Sequence, residues 1–258
     1  MPKISLLVTV KGYPAVSTKY GEAVCVAGVR TDTGTPEWAR LFPVEYRDME
    51  LTSRFKKYEF IGLDAIKHST DKRPETWRPD MSTVQRGEIL TTSRKNGWQR
   101  RRDLIEPLVV DSMCDVLRQQ ELDGTSLGVF RPADVRDVVV EKAEPWNAAQ
   151  EHVAAQPSLL FQNKATLERI PYKFSYRYSC GASCQAKDGH TQSIIDWEIG
   201  QAFRQWPYDE TERLQRIRHH WLETLCGADR DTFFFVGNTH VHQRSFMVLG
   251  VFWPPKTN

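Results

Sequence analysis

Apolar and polar positions along the chain follow three different patterns, and each predicts a different kind of element. In the first third, ISLLVTV (4–10) and EAVCVAGVR (22–30) are runs rich in β-branched residues. They are followed by TDTGTPE, whose turn-forming residues let WARLFPV return as a hairpin partner. YEFIGLDAI (58–66) reads as a further strand, and together these runs predict a small antiparallel sheet or partial barrel. From Asp103 the period lengthens. In DLIEPLVVDSMCDVLRQQ, Val109, Met113, Val116, Leu117 and Gln120 recur at spacings of three and four, Pro107 suits a first helical turn, and Asp123 with Gly124 ends the helix. SLGVF and RDVVVEKA then read as short strands.

The second half shows its elements more plainly. YKFSYRYS alternates, so Tyr172, Phe174, Tyr176 and Tyr178 share one face of a strand and are assigned to the core. TQSIIDWEIGQAFRQW carries Ile195, Ile199, Ala202, Phe203 and Trp206 on one helical stripe, stopped by Pro207. ETERLQRIRHHWLETLCG repeats the pattern with Leu214, Ile217, Trp221 and Leu225 and ends at Gly227. TFFFVG and SFMVLGVFW lack alternation, as strands covered on both faces do, and are placed at the centre of the second sheet. The predicted fold is α+β, a β-rich N-terminal half plus a C-terminal antiparallel sheet packed by two amphipathic helices. PWNAAQEHVAAQPS marks the boundary, giving a β-rich, basic-loop half with one helix at 1–145, a linker at 146–157 and an α+β half at 158–258.

Composition adds that this chain can fill a large core: 40% of its 258 residues are hydrophobic, with eight tryptophans and twelve phenylalanines. No apolar run reaches the length of a membrane span, and the apolar part of MPKISLLVTVKGYP is too short for an export signal, so no membrane partner and a cytoplasmic location are expected. Five cysteines, an odd number, then argue for reduced or metal-bound thiols over a disulfide framework.

The formal net charge of +2 conceals a strong asymmetry. From Ser53 to Arg102 thirteen Lys and Arg face six Asp and Glu; from Asp103 to Pro145 four face ten. The basic stretches KHSTDKRPETWRP and TTSRKNGWQRRR each combine cations with one tryptophan, the pairing by which single-strand binders neutralise phosphates and stack bases. Lys72, Arg73, Trp77, Arg94, Lys95, Trp98, Arg100, Arg101 and Arg102 are therefore the expected nucleic-acid contacts, with DNA and RNA undistinguished. A solvated loop anchored by its tryptophan is the simpler reading of each stretch.

Cys180, Cys184 and His190 fall within eleven residues, with ligand chemistry suited to zinc. A fourth ligand is expected from His242, His240 or Cys226. Asp196 and Glu198 follow closely, but two residues apart on a helix they diverge by about 200°, so one at most can turn to an ion. NTHVHQR puts His240 and His242 on one side of an extended loop, where they can serve as ligands or as acid and base towards a phosphodiester.

P-loop, dinucleotide-binding, α/β-hydrolase, HExxH and deaminase signatures are absent, which disfavours those enzyme classes. Three functions follow from these residues. The first is a nucleic-acid-binding protein with a zinc-stapled C-terminal platform. The second is a metal-dependent phosphodiesterase or nuclease using His190, His240, His242 and one of Asp196 and Glu198. The third is a protein-interaction or small-ligand sensing module. Nothing in the pattern sets an oligomeric state.

Overall fold

The computed structural model describes residues 1–17, 21–50, 52–93, 96–155, 167–181 and 184–256. Its first sheet is built from β1 (Lys3–Lys11), β2 (Ala15–Ser17), β3 (Gly21–Arg30), β4 (Glu37–Val44), β5 (Glu59–Lys67) and β6 (Thr76–Ile89). The order β1-β5-β6-β4-β3 returns from β3 to β1, so five strands close into a barrel-like sheet, and β2 adds to β3. The hairpin expected around TDTGTPE is present, pairing Arg30 with Glu37. Inside the barrel lie Ile4, Leu6, Val8, Val24, Val26, Leu41, Ile61 and Leu63. Alternation sends Leu7 to the outer face, and a register shift between Val8 and Val10 sends Val10 there too.

The helix expected from Asp103 begins ten residues later. The basic stretch itself forms α1 (Gly97–Ile105), Val109–Val110 form a short strand β7, and α2 (Met113–Asp123) starts where Ser112 caps it by accepting from the Asp115 N–H. The apolar periodicity was real only from Met113; a capping serine in that run is the stronger start signal. Gly124, at φ +80°, ends α2 as expected. The remaining elements are β8 (Leu127–Phe130), β9 (Asp134–Lys142), α3 (Ala148–Ala155), β10 (Tyr172–Ser179), β11 (His190–Ile194), α4 (Trp197–Gln205), α5 (Glu210–His219), β12 (Phe233–Asn238) and β13 (Phe246–Phe252).

The second sheet has the order β7-β8-β12-β13-β11-β10-β9. It is mixed rather than antiparallel, because β7–β8 and β11–β13 run parallel. Sheet membership therefore changes near residue 108 rather than at 145. Of the segment expected as a linker, Ala148–Ala155 is helical and the rest of 156–157 lies outside the described residues. The fold is α+β, as the patterning predicted.

β12 and β13 are central, as their unbroken hydrophobicity implied. Phe234, Val236 and Val248 point towards the helices, against Val116, Ile199, Phe203, Ile217 and Trp221, in the same cluster as Phe174, Tyr176 and Tyr178. Phe233, Phe235, Leu249 and Phe252 point the other way, into a cluster shared with Leu7, Val10, Ala27 and Val29 of the barrel and Ile105 of α1. The sheet is sandwiched between helices and barrel, which is why its middle strands carry no polar face.

Buried cations cross the barrel–sheet junction. Arg40 donates to the Ser126 carbonyl at 2.8 Å, and Arg73 donates to the Asn238 carbonyl at 2.5 Å while pairing with Asp71 at 2.6 Å. No helix among the described residues is long and apolar enough to cross a membrane.

Although burial opposes it, the Arg73 guanidinium holds Asp71 down to a pKa of about 2. A folded value below the unfolded one means that the stability Asp71 contributes is complete above about pH 4 and is lost as pH falls towards 2. Asp71→Asn should therefore cost about 2 kcal/mol at pH 6 and nearly nothing at pH 2, read by urea unfolding at the two pH values.

Candidate metal centre

Cys180 and Cys184 are joined to His190 by a tight knuckle between β10 and β11. Gly181 at φ +107° and Gly189 at φ +78° flank it, both in the left-handed region that a side chain resists. At Gly189 a Cβ would also stand 2.4 Å from the Tyr178 carbonyl oxygen. The chain therefore turns back sharply enough that Tyr178 pairs with His190 across the two strands, and the two rings stack at 5.2 Å.

Four ligand atoms converge over this knuckle. The Nε2 of His190 lies 3.2 Å from the Cys180 Sγ and 3.3 Å from the Cys184 Sγ. The fourth member is Cys114, in the first turn of α2, with its Sγ 3.7 Å from Cys180 and 3.8 Å from His190. All four ligand atoms lie within 4.8 Å of one another, an arrangement that can hold a metal ion. Of the expected fourth members, the structure brings none of His242, His240 and Cys226 into this group; the thiol beside the other three is that of Cys114. His240 and His242 are exposed on the loop between β12 and β13, and Cys226 lies 3.4 Å from the Trp221 carbonyl. Cys114 stands 66 residues from Cys180, so no spacing motif could show it. The only local signal is a cysteine just inside a capped helix N-terminus, where thiolate is favoured.

The electrostatics suit a cation. Burial pushes the Cys180 thiol up to about 12, with the neighbouring thiols adding to the effect. Cys184 goes the other way: burial opposes, but hydrogen bonds from the loop around Cys180 and Ala186 bring it below its ordinary value. Burial lowers His190, leaving the neutral imidazole that binds metals. A bound divalent cation reverses the cost of gathering three thiols by stabilising their thiolates.

The other residues nominated for catalysis are spread over two further places. Asp196 is the N-cap of α4, accepting from the Glu198 N–H, and its backbone is extended at φ −62°, ψ 137°. That corrects the divergence argument, since Asp196 lies outside the helix: both carboxylates reach one ammonium, Lys57 Nζ, at 3.1 Å and 3.0 Å. Lys57 is nearly inaccessible, and Asp196 is pushed up to about 6 by burial despite this partner. His240 sits with its Nδ1 3.4 Å from Asp71.

The nominated nucleic-acid contacts divide by burial. Lys72 is exposed, and so is Arg100, in a two-bond pair with Glu88 at 2.8 Å. Arg73 is committed to Asp71 and Asn238. Arg101 is buried, donating to the Leu90 carbonyl and lying 3.6 Å over the Tyr58 ring. Arg102 is buried between Glu106 and Asp231. Trp77 is half-buried in β6 with Lys67 over its ring at 4.2 Å, and Trp98 packs against Phe252 and Trp253. Arg94 and Lys95 lie outside the described residues.

Removing one partner of a buried ion pair leaves an uncompensated charge. Lys57→Met should cost roughly 3 kcal/mol or more in urea unfolding, and the same change in an Asp196→Asn background should cost clearly less, because the stranded carboxylate is gone.

Residues 2–107 match the family described as "Domain of unknown function (DUF8758)", and residues 109–258 match that described as "Domain of unknown function (DUF8757)". No curated protein matches the chain. A solved structure of a murine DNA-binding protein bound to double-stranded DNA is similar over 100% of both chains, with a TM-score of 0.32 and 11% identity, too low to carry an argument about fold or function. The second family covers the whole of the seven-stranded sheet, its helices and all four convergent ligands, and with more than half of its length matched the chain belongs to the DUF8757 family.

Proposed function

We propose that Cys114, Cys180, Cys184 and His190 bind one zinc ion as a structural centre, and that the protein so stapled binds nucleic acid. The observation that carries the first statement is the set of ligand separations. A tetrahedral zinc with Zn–S of about 2.3 Å and Zn–N of about 2.0 Å has edges of about 3.8 Å between sulfurs and about 3.5 Å between sulfur and nitrogen. The measured 3.7 Å between Cys114 and Cys180, and 3.2 Å, 3.3 Å and 3.8 Å from the sulfurs to His190, sit around those values. Four protein ligands close the coordination shell, which favours a structural ion over a hydrolytic one that keeps a position for water. The ion would tie helix α2 to the β10–β11 hairpin, adding to the contact that Gln192 Nε2 makes with the Met113 sulfur.

Support for nucleic acid is narrower than the sequence suggests. Lys72 and Arg100 remain at the surface, as does Arg78, while three of the nominated arginines are spent inside the fold and Arg86 is paired with the buried Glu59 at 2.6 Å. A binding surface built from the former group has fewer phosphate contacts than the run of basic residues implied, and its affinity should be modest and steeply salt-dependent.

Protein purified without chelator should carry one equivalent of zinc by elemental analysis. Cys114→Ala should lose it and lower the melting temperature by several degrees, because metal binding is part of folding here. Retention of full zinc by that variant would remove Cys114 from the shell. A labelled twelve-nucleotide single strand should bind at low salt, and the double variant Lys72→Ala, Arg100→Ala should weaken binding and flatten its dependence on salt. An unchanged slope would sink the assignment of those two residues.

A further inference from the structure

The corner between α4 and α5 carries a cavity of about 240 Å³ lined by Trp206, Pro207, Tyr208, Arg216, His219 and His220. Two aromatic rings, one guanidinium and two imidazoles face it, and among the described residues no acidic side chain lines it. The sequence explains the corner. Trp206 ends α4 in an extended conformation, as the residue before a proline must, and Asp209 caps α5 by accepting from the Glu212 N–H at 2.9 Å. Arg213 fixes the turn from below by donating to the carbonyls of Trp206 at 3.1 Å and Tyr208 at 2.5 Å. The rings are thus held in place before any ligand arrives.

The other wall comes from α5. Arg216, His219 and His220 are three and four residues apart, so they share a helix face. At His220–Thr224 the helix widens into a π-turn, with the Leu225 N–H donating to the His220 carbonyl. Such turns are uncommon and recur at functional sites. Here Trp221 goes into the core while His220 stays beside Trp206, with ring centroids 5.9 Å apart and planes at 83°. Arg216 lies 4.1 Å over the Tyr208 ring, its Nε donating to Glu212 at 2.8 Å. Burial holds the His220 imidazole below its ordinary value, with Glu198 opposing, so at neutral pH it offers one donor and one acceptor instead of a charge.

We propose that this corner binds one nucleotide unit, the base against Trp206 and Tyr208 with His220 at its edge, and the phosphate on Arg216 and His219. A cationic ligand is disfavoured because the protein's own cations line the cavity. A purely apolar ligand would leave the imidazoles and the guanidinium nitrogens that Glu212 does not engage without a partner in the cavity. The proposal rests on the nucleic-acid reading for its source, a single strand, and the same chemistry would accept a free nucleotide.

The test uses full-length, zinc-loaded protein, a labelled twelve-nucleotide oligothymidine followed by anisotropy, and AMP followed by calorimetry. Tyr208→Leu and Arg216→Gln should each weaken oligonucleotide binding about tenfold, and Arg216→Gln should lower the salt slope by about 0.7. The surface change Arg136→Gln, at an exposed residue outside both proposed binding surfaces, controls for general charge loss. If the strand binds wild type but neither corner variant changes its affinity or slope, the corner proposal is overturned and the broader reading stands. If the strand does not bind but AMP does, and the variants lose it, the broader reading fails while the corner stands with a free nucleotide as its source. If neither probe binds wild type, both are overturned.

Discussion

The rest of the structure depends on the apolar contact between the outer face of the barrel and one face of the second sheet. A closed barrel has no free edge through which to extend a full strand pairing, so it joins the second sheet mainly by packing side chains, with an isolated backbone bridge between Gly12 and Asp196. Leu7, Val10, Ala27 and Val29 supply one surface, and Leu127, Val129, Phe233, Phe235, Leu249 and Phe252 the other. That contact is non-directional, as hydrophobic burial always is. Direction comes from the polar groups that cross it. The Tyr13 N–H donates to the Ile195 carbonyl at 2.6 Å, Lys57 reaches Asp196, and Arg40 and Arg73 reach Ser126 and Asn238. Each is a buried polar group that is satisfied only in one docked orientation, and each would be costly in any other.

This arrangement accounts for what became of the basic residues. Arginine is suited to such positions because one planar group can bond several carbonyls or carboxylates while its face lies on an aromatic ring. Arg101 does both, with the Leu90 carbonyl and the Tyr58 ring. Arg102 bridges α1 to Asp231 just before β12, and Arg131 reaches the same carboxylate at 2.8 Å. A run that reads as an electrostatic footprint is in large part the mortar between two sheets, and the surface charge left for a polyanion is correspondingly smaller.

On the far side of the second sheet the helices are held by a different device. The core under α4 and α5 is continuous, whereas α2 packs on β8, with Val116 against Gly128, and buries fully only Met113 and Val116. The Cys114–Cys180–Cys184–His190 group lies where that packing is thin. A metal held there would do for this edge of the fold what apolar burial does for its centre, and would fix the turn whose two left-handed glycines are otherwise a source of conformational freedom.

The sequence alone determined most element types in the second half, because strand alternation and helical stripes report contacts that a segment makes repeatedly along one face; the exception is TQSI, read into the first helix, which forms part of strand β11, with the helix beginning at Trp197 and Ile195 turned to the barrel. The two helices, the inward tyrosines of 172–178 and the central place of the two phenylalanine-rich strands were all readable for that reason. It also determined three of the four convergent ligands, since Cys180, Cys184 and His190 are neighbours in the chain. What only the tertiary structure decided are the contacts made once and from afar. Cys114 enters the centre because the order β8-β12-β13-β11-β10 and the helix after β7 bring residues 66 positions apart together. Asp196 meets Glu198 at one ammonium because a residue just outside a helix escapes the helical period. Arg73 and Arg102 turn inwards because distant residues, Asn238 and Asp231, offer them a carbonyl and a carboxylate, and Arg101 turns onto the Tyr58 ring and the Leu90 carbonyl. A single long-range contact leaves no periodic trace in a sequence, so it is fixed by the docking of sheets and is visible only there.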